Sequence, residues 1–123
     1  MHSMRLRSPW QVDRGDGVFQ RCELPDSKQS EGPTIAYRRS FNRPTGLEST
    51  DKVWLIIHGW EGRIESLSVN GQLLDMEEHE SPTRLEISTW LLRSNRIELI
   101  LAATGEVGSR LTGPVELAIE SLP

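Results

Sequence analysis

Trp60, Glu61 and Arg63 crowd the turn Gly59-Trp60-Glu61-Gly62 and the residue after it. A large ring in a tight turn has few neighbours to bury it. An exposed indole stacks on the apolar face of a sugar ring, and a carboxylate and a guanidinium beside it bond hydroxyls. These three residues are therefore candidate ligand contacts. The competing reading folds Trp60 back as a lid on the core, where most tryptophans are found. Other groups carry weaker chemistry. Glu77-Glu78-His79-Glu80 has metal-ligating types, but consecutive residues of an extended loop point different ways, so a solvated acidic loop explains them better. Carboxylates and carbonyls there would suit a structural calcium at most, and no cofactor is called for. Cys22 is the single cysteine, so no internal disulfide forms, and a catalytic thiol would need His2, His58 or His79 brought to it. A buried, inert thiol is the simpler reading.

The elements that position these residues read as strands. Val53, Leu55 and Ile57 alternate with Trp54, Ile56 and His58. Both faces are apolar, which predicts a central strand covered on each side, with Trp54 in the core and His58 a structural histidine. Residues 65–69 alternate with Leu67 and Val69 inward, then meet Asn70-Gly71, a strong two-residue hairpin signal in which Asn70 adopts positive φ. Leu73 and Leu74 are expected to re-enter the core. Further strands are predicted over 10–12, 18–24, 34–42, 84–88, 96–101 and 115–120, with one helical turn over 89–93 capped by Ser88 or Thr89. Arg39 shares the parity of Tyr37 and Phe41, so either a bulge rotates it outward or its stem is buried at a sheet edge. Residues 1–8 are expected to be disordered, 25–33 to be the most mobile loop, and 105–113 to be a flexible connection. Trp10 either packs the first strand or sits at an oligomer contact, and Trp90 caps the core.

The chain has 123 residues and a formal net charge of −4, with 36% hydrophobic content. That size predicts a single domain over 1–123 with one core. An acidic chain lacks the basic face that a phosphate-backbone binder needs, which argues against nucleic acid. No run approaches the roughly 20 apolar residues of a membrane helix, and the N-terminal stretch has no signal-like apolar centre, so a cytoplasmic protein is the expectation. About eight short strands and almost no helix predict an all-β protein, a two-sheet antiparallel β-sandwich or jelly roll.

The order of motifs is more specific. IAYRRSF, KVWLIIHGWEGRIESLSVNGQLL, TRLEISTWLLRSNRIELILAA and GPVELAIE, together spanning residues 34–120, follow one layout. This layout resembles the N-terminal sugar-binding-type jelly-roll domain of glycoside hydrolase family 2, carried by β-galactosidases and β-glucuronidases. The resemblance implies a galactose-binding domain-like sandwich, in which Trp54, Leu55, Gly59, Val69, Asn70, Gly71, Leu91, Leu92 and Asn95 are structural. It also implies that catalysis belongs elsewhere, because the family keeps its two catalytic glutamates in a separate barrel. Ordinary glycoside hydrolysis needs two carboxylates flanking the bond, and no acidic pair here lies in such a motif. The sequence therefore predicts a non-catalytic binding module with carbohydrate as a ligand class. The alternative is an interaction or assembly domain, a homodimer or the partner of a larger enzyme, with Trp54 and Ile56 as its seam.

Overall fold

The computed structural model describes residues 2–7, 9–30, 32–75, 82–105 and 108–121. The Glu77–Glu80 cluster, with His79, and residues 106–107 of the last connection lie outside the described residues. Among the described residues twelve strands form: β1 (His2–Arg5), β2 (Trp10–Asp13), β3 (Gln20–Cys22), β4 (Thr34–Asn42), β5 (Lys52–Ile57), β6 (Trp60–Glu61), β7 (Arg63–Val69), β8 (Gln72–Leu73), β9 (Thr83–Glu86), β10 (Ser94–Ala102), β11 (Arg110–Leu111) and β12 (Val115–Glu120). One sheet has the order β1-β12-β5-β9 and the other β3-β2-β4-β10-β7-β8, with β11-β6 as a short ribbon at one end. Every described pairing is antiparallel. This is the expected all-β sandwich.

Period-two alternation sets the core. Val53, Leu55 and Ile57 of β5 and Val115 and Leu117 of β12 face Ile35 and Tyr37 of β4, Ile97, Leu99 and Leu101 of β10 and Leu67 and Val69 of β7. A bulge interrupts the alternation in β7. Ile100 pairs Ser66 while Leu101 pairs Ile64, so Glu65 is the extra residue. The skipped position returns Ile64 to the core side, where it packs against the cluster.

The Asn70-Gly71 hairpin forms as a two-residue loop, with φ of 53° and 81° at its two residues and Val69 paired to Gln72. Asn70 does more than turn. Its amide donates to Trp90 O at 2.7 Å and to Asn95 Oδ1 at 2.9 Å, and its Oδ1 accepts from Arg96 N. Buried Asn95 in turn accepts from Leu92 N at 2.7 Å and donates to Leu92 O and Phe41 O. Two asparagines thus replace the ladder bonds that the chain loses as it turns through 88–93.

Several expectations require correction. Residues 2–5 do not fray: β1 pairs along β12, and Leu6 N continues the ladder to Val115 O at 2.8 Å. Leu73 is exposed, and only Leu74 enters the core, because alternate residues point to opposite faces. The turn over Ser88–Trp90 has Ile87 at its N-cap with no side-chain cap, since the Ser88 hydroxyl is spent accepting from Val53 N at 2.8 Å. Trp54 is not in the core. The strand β5 is central in its sheet, but Trp54 lies on its outer face and is half-buried, with the Arg84 guanidinium 4.4 Å from its ring. Trp10 is buried, and its indole donates to Leu6 O at 2.8 Å, which assigns it to packing.

Candidate functional site

β6 and β11 form the ribbon that carries two of the candidate contacts, with Glu61 opposite Arg110 and Trp60 opposite Leu111. Leu111 is fully buried, and Trp60 is half-buried against the same core. Strand alternation sends the next residue, Glu61, to the other side. There its carboxylate accepts from Arg110 Nη2 at 3.0 Å and from Gln29 Nε2 at 2.7 Å. Arg110 and Gln29 hold the Glu61 carboxyl below its ordinary range. Arg63 is exposed at the start of β7, beyond Gly62 with its φ of +90°. The structure therefore sets Trp60 against the core and leaves Glu61 and Arg63 as polar groups at the surface, rather than gathering all three on one platform.

Behind Glu61 lies a cluster that the sequence did not reveal. Asp26 is 3% exposed. Its carboxylate accepts from Arg14 Nη1 and Nη2 at 2.8 and 3.0 Å, from the Tyr37 hydroxyl at 2.6 Å and from Lys28 N at 3.1 Å. The Tyr37 hydroxyl accepts from Leu111 N at 3.1 Å, and Arg110 Nη1 donates to Asp26 O at 2.8 Å. Burial alone would raise the Asp26 carboxyl; the arginine, hydroxyl and amide donors outweigh it and hold it below the usual carboxylate range. Burial raises the Tyr37 hydroxyl, and the adjoining Asp26 charge adds to that, so Tyr37 stays neutral. Cys22 nearby is pushed up to about 11 by burial first and by Asp26 second, which leaves a protonated, poorly nucleophilic thiol at neutral pH.

The described residues of two segments expected to be mobile carry backbone hydrogen bonds, a strand and a buried side chain. The 25–33 loop is pinned by Asp26 N to Leu111 O at 2.8 Å and by Ser30 N to Ser109 O at 2.9 Å. The connection after β10, expected to be flexible, carries β11 and the fully buried Ser109. The amides of Asp26 and Ser30 are accordingly expected to exchange with solvent at least 100-fold more slowly than random-coil values. Full exchange of both within the dead time of a hydrogen-exchange measurement would show that the loop is not pinned. The missed signal was Tyr37. A tyrosine on the inward parity needs a partner for its hydroxyl, but nothing local names a partner 11 residues upstream.

Elsewhere, His58 Nε2 lies 3.4 Å from Glu116 Oε2 at the end of β5. Among the described residues no group of three or more histidines, cysteines and carboxylates could hold a metal.

No protein-family model and no curated protein matches the chain. Solved structures do. A glycosyl hydrolase family 2 member from Bacteroides cellulosilyticus superposes with a TM-score of 0.79 at 16% identity, over 97% of this chain and 21% of its own. A β-glucuronidase from Bacteroides uniformis gives 0.79 at 13% identity, over 96% of this chain and 18% of its own. An FMN-binding β-glucuronidase from Facaelibacterium prausnitzii gives 0.72 at 15% identity, over 94% and 22%. The chain spans about one fifth of the length of these enzymes. It has the fold of the jelly-roll domain of family 2 glycosidases.

Proposed function

We propose that this chain is a non-catalytic accessory module of a glycosidase-type architecture, with carbohydrate as its ligand class and Trp60, Glu61 and Arg63 as contacts. One observation carries the reading: nearly the whole chain overlays on about a fifth of each glycosidase. The local chemistry supports a binding role. Arg110 and Gln29 hold Glu61 in place, so accepting a sugar hydroxyl there would cost little further side-chain entropy. Glycoside hydrolysis needs a proton donor and a second carboxylate at one site. The buried carboxylate here, Asp26, is enclosed by Arg14, Tyr37 and Lys28 N.

Titration of neutral oligosaccharides with tryptophan fluorescence as the readout tests this reading. Saturable binding is expected, weakened about tenfold or more by Trp60→Ala, as loss of a stacking ring should do. Binding that ignores Trp60→Ala would remove the proposed contacts. A second reading, an assembly domain, is favoured by the outer face of β5, where Trp54 Nε1 is buried with no partner among the described residues. No sugar response together with a dimer by light scattering would select that reading.

A further inference from the structure

Arg39 stands where the β4 pattern calls for an apolar side chain. Ile35, Tyr37 and Phe41, at the same parity, are all buried in the core. The register between β4 and β10 runs unbroken from Ser94–Asn42 to Ala102–Thr34, so no bulge turns Arg39 away. Arg39 as a whole is half-buried, and its guanidinium carries a permanent charge. Nε donates to Arg7 O at 2.8 Å, and Nη1 donates to Ser40 O. Both acceptors are neutral carbonyls. Among the described residues Arg39 has no carboxylate partner, and its Nη2 bonds nothing.

Arg39 lines a cleft of about 660 Å³ between the edge strand β1 and the ends of β4 and β10. Arg5 and Arg96 line it as well, and none of its lining residues is acidic. Among the described residues the two outer arginines have loose ion pairs, at 3.7 Å to Glu116 and 3.9 Å to Glu98, with half or more of each arginine side chain exposed. Ser40, Asn42 and Ser94 add polar lining, and Phe41 adds an aromatic wall. A space of this size holds one or two sugar rings. Concentrated cationic lining in a chain of net charge −4 is a local feature that composition does not produce.

We propose that this cleft binds an anionic monosaccharide, a sugar ring bearing a carboxylate, with Arg39 as the carboxylate anchor. A guanidinium with an open edge, on a half-buried side chain, meets a carboxylate in charge-assisted bonds stronger than those to its present carbonyls. Arg5 and Arg96 draw the anion in, and the hydroxyl and amide lining suits the sugar hydroxyls. The saccharide body rests on the carbohydrate reading above; the carboxylate rests on the arginines alone and needs neither Trp60 nor Glu61.

Parallel titrations of D-glucuronate, D-glucose and acetate test the assignment, followed by nitrogen–proton NMR of the backbone and of the arginine Nε–H groups. Glucuronate is expected to bind at least tenfold more tightly than either of the others and to shift the Arg39 Nε–H resonance. Arg39→Gln should weaken that binding about 10- to 100-fold. Arg96→Gln, at an exposed position that leaves the fold intact, should weaken it several-fold and keeps the test open if the Arg39 variant fails to fold. Glucose binding as tightly as glucuronate would overturn the anionic site and leave the carbohydrate reading standing. Acetate matching glucuronate would overturn the saccharide assignment. Glucuronate binding that neither variant weakens would place it elsewhere on the chain, and absence of all binding would also overturn the proposal.

Discussion

Asp26→Asn is expected to lower the unfolding free energy at pH 7 by about 3 kcal/mol, the lower end of the cost of breaking a buried ion pair by removing one partner. The carboxylate is 3% exposed and receives both Nη atoms of Arg14, the Tyr37 hydroxyl and the Lys28 amide. An amide cannot satisfy that set of donors, and it leaves the Arg14 charge uncompensated beside the core. In a domain of this size the loss corresponds to a fall of roughly 10–15 °C in Tm. The pH dependence is a second signature. The folded carboxyl titrates below its ordinary value of 3.8. A depressed folded value means that the contribution is complete above the unfolded value and is lost as pH falls through the folded one. The gap between the parent protein and Asp26→Asn should therefore be constant above about pH 5 and shrink below about pH 4. Urea melts at pH 7, 5 and 3 measure it. A deficit under 1 kcal/mol at pH 7, or one that does not narrow in acid, would show that the cluster contributes little.

Gly62→Ala should be comparably severe, about 3 kcal/mol or more, for a different reason. Gly62 has a φ of +90°, and a Cβ there would lie 2.5 Å from Ala102 O and 2.8 Å from Ser109 Cβ. The backbone conformation costs an L-residue about 1–3 kcal/mol, and the overlap adds a similar amount because backbone of a central strand cannot yield. Gly71→Ala isolates the first contribution. Its φ is +81°, and nothing lies within 4 Å of the added atom. It should therefore lose only the conformational part. Equal losses in the two variants would mean that the close approach of Gly62 to Ala102 and Ser109 has no energetic weight.

Much of the sandwich was legible. Alternation over 34–42, 53–58 and 115–120 gave strands within a residue or two of those observed, and the Asn70-Gly71 turn formed as read. Both cues are local: side-chain parity and the tolerance of two residues for positive φ. The errors share a cause. β1, β6 and β11 are short and carry little pattern of their own; each exists because a neighbour supplies its hydrogen bonds. Trp54 was misplaced because an apolar residue on a strand does not announce whether the face it joins will be covered by a second layer or by an arginine. Arg39 was legible as an anomaly of parity, but not as part of a cleft.

From the sequence alone came the class of fold, the inward set of residues and the turn that closes β7 on β8. Those follow from interactions between near neighbours in the chain. Tertiary structure alone decided which polar residues meet. Arg14, Asp26, Tyr37 and Leu111 converge over separations of 11 to 74 residues, as do Arg5, Arg39 and Arg96 around their cleft. Such meetings are set by how two sheets stack and where their loops cross, and a polar residue carries no periodic mark of a partner it will find only once the core has closed.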